Sequence, residues 1–285
     1  MQCFSPYLVQ NQYTNVNGQN RVTPVPCGKC INCKKRRSRH WVFRLDQEAR
    51  RSSSVSFLTL TYDDQHLPIS KNNFYTLRKK DFQLFMKNLR HLAPTNKIKY
   101  YACGEYGSEQ HTVRPHYHAV LFNLPHSIIN SPHLVANAWG RGISQLEYPR
   151  NTDMTTSYVT GYITKSTFEK ESDYDDREPE FSLMSKKMGL NYLTPQMIKY
   201  FRDRKIFTIV KENGELISMP RYYKNKIFSP QELKEMYKEY INILDIDMEN
   251  KIKDIGSEYF KRQADEIKAL LRKTEINNKL KRQKL

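Results

Sequence analysis

The pattern of apolar and polar positions places the secondary structure first. Residues 55–62 read VSFLTLTY, β-branched and aromatic almost throughout, and predict a strand that ends at Asp63-Asp64. Leu77, Phe82, Phe85, Met86 and Leu89 recur at helical spacing and predict a helix over 77–92. A second strand is predicted over 98–105. A third begins in Arg114-Pro115-His116-Tyr117-His118 and runs into Ala119-Val120-Leu121-Phe122; the short connection 106–113 makes these two an antiparallel hairpin. A short helix around 135–139 ends at Gly140 and Gly142, a strand follows over 143–148, and Asp153 is placed to cap a helix containing Tyr158 through Lys165. Residues 206–210 and 216–219 flank Asn213-Gly214, a hairpin signal, and Ser229-Pro230-Gln231-Glu232 opens a helix with a capping box. Asp63 and Asp81 stand near element ends, where turns and caps place aspartate. Residues 1–26 are polar and read as an irregular arm, 41–49 as an amphipathic helix, and 168–181 as an acidic exposed loop. This order predicts an α+β fold with a central antiparallel sheet and flanking helices, plus a basic helical C-terminal extension. Three segments are expected: an arm with a basic helix over 1–50, a core over 51–225 and a charged helical extension over 226–285.

Charge narrows the choice of partner. The chain has 285 residues, with 47 Lys and Arg against 30 Asp and Glu, a net charge of +17. Such a surplus favours a polyanion. The 19 tyrosines and 13 phenylalanines interleaved with it suit single-stranded nucleic acid, whose unstacked bases are open to aromatic faces, although many of them fill the core. No apolar run approaches the ~20 residues of a membrane span, and no basic-then-apolar leader opens the sequence, so no membrane partner is expected. Five cysteines, three of them clustered, do not read as a secreted disulfide framework; a reducing cytoplasm is the simplest compartment.

Candidate chemistry begins with His116 and His118. On a strand, alternate side chains share a face, so these imidazoles lie about 6–7 Å apart and can share a metal ion. Two surface histidines that happen to alternate are the plainer alternative. Glu105 joins their face only if the hairpin pairs residues whose numbers sum to an odd value; otherwise it is a turn-end carboxylate for Arg114. Two imidazoles and a carboxylate suit Mg²⁺ or Mn²⁺, with positions left for water and a phosphate oxygen. Downstream, Tyr158, Tyr162 and Lys165 fall on one helix face, since four residues advance about 400°; packing of two tyrosines on a core is the alternative. Cys27, Cys30 and Cys33 can bind Zn²⁺ if Cys3, His40 or Cys103 supplies a fourth ligand. Lys34, Lys35, Arg36, Arg37 and Arg39, then Lys186 and Lys187, are candidate phosphate contacts, as is Arg114.

The ordered set of motifs resembles a known family. Phe57-Leu58-Thr59-Leu60-Thr61-Tyr62, then Arg114-Pro115-His116-Tyr117-His118, then paired tyrosines followed by a lysine, look like the three motifs of HUH endonucleases, with Tyr117 at the middle hydrophobic place. Within them the sequence is most similar to replication initiators of gokushovirus-type microviruses, small single-stranded DNA phages. Cys27-Gly28-Lys29-Cys30 before a basic run, Thr59 through Asp64, Gly104-Glu105-Tyr106-Gly107 and Met184-Ser185-Lys186-Lys187 carry that likeness, over roughly residues 25 to 220. The resemblance implies an RNA-recognition-motif-like sheet, and nicking of one strand at a replication origin with a covalent 5′-phosphotyrosine link. It also implies strand rejoining by a tyrosine pair in rolling-circle replication. His116, His118 and, by extension, Glu105 become metal ligands; Tyr158 and Tyr162 become nucleophiles, with Lys165 beside them. Host helicase and polymerase are the expected partners, in the bacterial cytoplasm, since the sequence has no Gly-x-x-x-x-Gly-Lys loop for a fused helicase. The rivals are a non-catalytic basic protein that binds nucleic acid through a zinc knuckle, and a plasmid-type initiator or relaxase.

Overall fold

The computed structural model describes residues 3–14, 20–107, 114–147 and 172–256, with 258, 261–262, 264–266, 268–269 and 272. The chain divides into two compact units, Lys34–Thr194 and the combination of Met1–Cys33 with Pro195–Leu285.

The Lys34–Thr194 unit is α+β and is built on a five-stranded antiparallel sheet. Its strands are β3 (Val55–Tyr62), β4 (Lys99–Tyr106), β5 (Pro115–Phe122), β6 (Gly142–Glu147) and β7 (Phe181–Met184), in the spatial order β6-β3-β5-β4-β7. The alternation of β3 is visible in its burial: Leu58, Leu60 and Tyr62 are buried and their neighbours half-buried. One face of the sheet carries Leu58, Leu60, Ala102, Tyr117, Ala119 and Leu121. It packs on helix α2 (Lys79–His91) through Phe82, Phe85, Met86 and Leu89, and on α4 (Pro132–Trp139) through Val135 and Trp139. A short α3 (His126–Ile129) precedes α4, which stops at Gly140 with φ 57°. The other face carries Tyr101, Cys103, Val120 and Phe122 and is covered by α1 (Ile31–Ala49) through Leu45 and Trp41. Gly104 makes the close approach of β7 feasible: a Cβ there would meet the Phe181 ring at 2.9 Å.

Four expectations need correction, three of them in this unit and its entry helix. Helix α1 begins at Ile31, not at 41. The Lys/Arg run is made of good helix formers and contains no breaker, so the basic residues ride on the helix instead of leading into it. Asp81 caps nothing: α2 has no side-chain N-cap bond, and Asp81 is buried, accepting the Tyr62 hydroxyl at 2.9 Å. Within 168–181, the described residues from 172 are not simply an exposed loop. Asp175 and Arg177 are buried as a two-bond pair, Nε to Oδ1 at 2.9 Å and Nη2 to Oδ2 at 2.8 Å, and Arg177 lies over the rings of Phe74 and Tyr106. Mutual neutralisation and aromatic cover let two charges enter where composition alone predicts solvent. Phe181, assigned to that loop, starts β7.

The second unit contains the fourth correction. Residues 1–26 are not irregular: β1 (Tyr7–Thr14) and β2 (Asn20–Val25) pair antiparallel, Tyr7 opposite Val25, with a register shift between Gln10 and Thr14. The polar side chains disguise a sequence that still supplies Tyr, Val and Thr, which favour strand backbone. This unit also has α5 (Pro195–Arg204), the predicted hairpin of β8 (Thr208–Val210) and β9 (Leu216–Ser218), α6 (Arg221–Ile227) and α7 (Pro230–Ile255). The capping box forms as read: Ser229 N–H donates to Glu232 Oε2 at 2.6 Å, and Glu232 N–H donates to Ser229 Oγ at 3.2 Å. Among the described residues no helix is long and apolar enough to cross a membrane.

Candidate functional site

Strand β5 lies at the middle of the sheet and orients the two imidazoles. His116 stands between Thr61 of β3 and Glu105 of β4, and His118 between Thr59 and Cys103. The pairing of Glu105 with His116 is the odd-sum register, so the carboxylate shares the histidine face. Tyr117, between the histidines, points the opposite way. It is fully buried, and its hydroxyl is 2.7 Å from that of Tyr62 and 3.0 Å from the Arg78 carbonyl.

Glu105 Oε1 is 2.8 Å from His116 Nε2 and 3.2 Å from His118 Nε2, and the three donor atoms lie within 4.8 Å of one another. The far side of each ring is fixed. His116 Nδ1 is 3.0 Å from the Arg114 carbonyl oxygen, which can only accept, so Nδ1 carries a proton and Nε2 faces the carboxylate. His118 Nδ1 is 3.1 Å from Thr59 Oγ1, and its ring stacks on Phe57 with centroids 5.6 Å apart. Such outer contacts hold imidazoles in the orientation a metal needs. Burial opposes protonation of His116, but the hydrogen bond to Glu105 and the Arg114 carbonyl outweigh it and raise its pKa above the usual histidine value. Burial likewise opposes ionisation of Glu105, yet bonds from His116 and His118 hold its carboxyl below the usual range. The cation-free cluster is thus a charge-paired imidazolium and carboxylate, one proton removed from a three-donor metal site.

The basic residues of α1 share this unit and this face of the sheet. Glu48 meets Lys99 at 2.6 Å and Trp41 meets the Tyr101 ring at 4.9 Å, so the helix turns that carry Arg37 and Arg39 continue toward the Glu105 end. Arg37 and Arg39 are exposed, and Lys34, Lys35 and Arg36 half-buried; Lys186 and Lys187 are exposed just after β7. Arg114 does not pair with Glu105: its guanidinium donates to the Tyr62 carbonyl at 2.7 Å and to the Asp64 carboxylate. Tyr158, Tyr162 and Lys165 lie outside the described residues. Thr59 and Phe57 were missed as orienting residues, because contacts across strands leave no local sequence mark.

In the other unit, Cys3, Cys27, Cys30 and Cys33 bring four sulfurs within 4.8 Å of one another. Cys3, not His40 or Cys103, is the fourth member; Cys103 is buried in the sheet, with its sulfur 3.6 Å from Ser182 Oγ. Burial disfavours ionisation of Cys30, but backbone hydrogen bonds from Phe4 and Cys33 bring its pKa down to about 6.

A family model describing the ORF2-type replication-associated proteins matches residues 55–167. The chain is 27% identical over 236 residues to the replication-associated protein ORF2 of Spiroplasma virus 4, covering 76% of this chain and 71% of that one. It is 29% identical over 221 residues to the replication-associated protein VP4 of Bdellovibrio phage phiMH2K, covering 70% and 66%. With the replication-associated protein ORF4 of Chlamydia phage 1 it shares 28% identity over 246 residues, covering 78% and 58%. The chain is a relative of the phage replication-associated proteins. In this relative the family match starts at the first residue of β3 and takes in Glu105, His116, His118 and the sequence positions Tyr158, Tyr162 and Lys165. It leaves out all four clustered cysteines. The matched stretch spans less than two thirds of the length of the Bdellovibrio and Chlamydia phage proteins. No solved structure matches the chain.

Proposed function

We propose that this phage replication-associated relative is a metal-dependent, single-strand DNA endonuclease and strand transferase of the HUH type. It nicks a phage origin through a 5′-phosphotyrosine link, rejoins strands afterwards and so initiates rolling-circle replication. The observation that carries this reading is the convergence of Glu105, His116 and His118 on one point of an aromatic-backed strand face. One carboxylate oxygen and two imidazole nitrogens fit Mg²⁺ or Mn²⁺. When bound there, such a cation polarises a scissile phosphate and stabilises charge on its oxygens.

The remaining steps belong to the chain. Tyr158 or Tyr162 attacks phosphorus; the phenol, with an ordinary pKa near 10, gives up its proton as the O–P bond forms. Lys165, on the same predicted helix face, favours the phenolate or holds a phosphate. The P–O3′ bond breaks and the 3′-oxygen leaves with a proton. One phosphate ester has replaced another, so attack by a 3′-hydroxyl on the phosphotyrosine rejoins DNA without a nucleotide cofactor. The second tyrosine opens the regenerated origin while the first is still occupied. Arg37, Arg39, Lys186 and Lys187 hold phosphates and add no sequence information. Unwinding and synthesis fall to a host helicase and polymerase in the bacterial cytoplasm.

The test is incubation with origin-bearing single-stranded DNA and Mn²⁺, followed by denaturing electrophoresis. A protein-linked oligonucleotide is expected, and it disappears in the Tyr158→Phe/Tyr162→Phe double variant and under chelation. An adduct that survives both substitutions moves the nucleophile elsewhere, cleavage that survives exhaustive chelation removes the metal, and tight binding without any cleavage favours the non-catalytic rival.

A further inference from the structure

The four cysteines are not used by the nicking chemistry, and their arrangement has its own logic. Among the described residues all five cysteines are free thiols, and the cluster spacing is wrong for a disulfide: Cys3 Sγ lies 3.5 Å from Cys27 Sγ and 3.8 Å from Cys30 Sγ. A disulfide requires about 2.05 Å. Tetrahedral zinc with Zn–S bonds of about 2.3 Å requires sulfurs about 3.8 Å apart. The backbone is turned to serve the sulfurs. Cys27 N–H donates to Cys3 Sγ and Cys30 N–H to Cys27 Sγ, each at 3.3 Å, and such amide bonds stabilise thiolate over thiol. Gly28 takes φ 74°, which lets the chain double back between Cys27 and Cys30. Cys33 sits in the first turn of α1, where the helix dipole favours a thiolate.

We propose that Cys3, Cys27, Cys30 and Cys33 form a closed four-thiolate zinc centre that clasps the base of the β1–β2 hairpin. Cys3 lies just before β1 and Cys27 just after β2, so the ion joins the two feet of the hairpin at the end where Tyr7 pairs with Val25. The hairpin needs such a clasp. Tyr7, Leu8, Val9 and Val25 are exposed, so the strands bury little of their own apolar surface, and an isolated two-stranded ribbon is marginal in water. With four protein ligands the centre has no open position and its role is structural.

The experiment uses the full chain carrying His116→Ala and His118→Ala, so that metal at the candidate catalytic site is not counted. Elemental analysis of the purified protein is expected to give one zinc per chain. Replacement by Co²⁺ is expected to give intense sulfur-to-cobalt charge-transfer bands and the strong visible absorption of a tetrahedral site. Adding Cys3→Ala should weaken zinc retention roughly tenfold or more and reduce the charge-transfer intensity, whereas Cys103→Ala should change neither. Metal removal should speed amide exchange in residues 7–14 and 20–25. Protein without zinc and without thiolate bands on cobalt addition overturns the proposal; an unchanged cobalt spectrum in the Cys3→Ala variant overturns the assignment of Cys3. Neither result bears on whether the histidine-bearing parent forms a DNA adduct.

Discussion

Each donor at the candidate metal site is held by a contact that can be cut separately. His116 is raised above its ordinary value of 6.5 and Glu105 lowered below its ordinary 4.5. A raised histidine contributes stability that is fully present below its unfolded value and is lost as pH rises through the folded one. A depressed carboxylate contributes stability present above its unfolded value and lost as pH falls through the folded one. Without metal, both contributions coexist between those ordinary values. The difference in melting temperature between wild type and Glu105→Gln, measured in chelator, should therefore be larger at about pH 5.5 than at about pH 8. A cation must displace the His116 Nε2 proton, so Mn²⁺ affinity measured by calorimetry should rise with pH through the raised His116 value; a flat profile would contradict this. Thr59→Val keeps the shape but removes the Oγ1 that faces His118 Nδ1, and should weaken Mn²⁺ binding by roughly 10-fold or more without unfolding the protein. The alternation of His116 and His118 was legible because a strand has a period of two. The membership of Glu105 was legible only as a condition on register, and Cys3 only as one of three candidates, because closure between residues distant in sequence leaves no local pattern.

The elements carry a second polar network, on the reverse of the same strand. Tyr62, Tyr117 and Asp81 join β3, β5 and α2 through buried hydroxyls, and Arg78 N–H donates to Tyr117 Oη at 3.1 Å. Burial pushes the Tyr117 phenol up to about 12, so it stays a neutral hydrogen-bonding group. Tyr117→Phe keeps the ring against Trp139 and Phe82 but strands the Arg78 amide and a lone pair of Tyr62. It should lower stability by about 1–3 kcal/mol in a denaturant titration, with the metal cluster on the other face left in place. Strands and helices with strong periodicity, such as 55–62 and 77–92, were readable to within a few residues. The β1–β2 hairpin was not, because its strands keep no continuous apolar stripe to mark them. Arg177 and Asp175 were hidden because burial of a charge depends on a partner and on rings contributed from Phe74 and Tyr106, far away in sequence.

At the scale of the molecule, the net charge of +17 and the sheet face under α1 point to one consequence for binding. If exposed Arg37, Arg39, Lys186 and Lys187 sit on phosphates, each replacement by alanine should reduce the magnitude of the log-affinity against log-salt slope by roughly 0.7. Fluorescence anisotropy with single-stranded DNA over a salt series reads this directly, and the loss should not depend on base sequence. An unaltered slope would place the DNA on another surface. The fold class was legible because few architectures accommodate this order of strands and helices. The division of the chain was less so, since Met1–Cys33 groups with Pro195–Leu285, a pairing that no local signal encodes.

The origin of the three donors has a consequence for how the site is made. Glu105, His116 and His118 all come from β4 and β5, neighbours in sequence, whereas Thr59 arrives from β3, far earlier in the chain. Closing a short loop loses less entropy than closing a long one. During refolding the ligands therefore meet before the threonine that aligns them, and a cation present from the start captures a half-built sheet and biases the chain toward its native pairing.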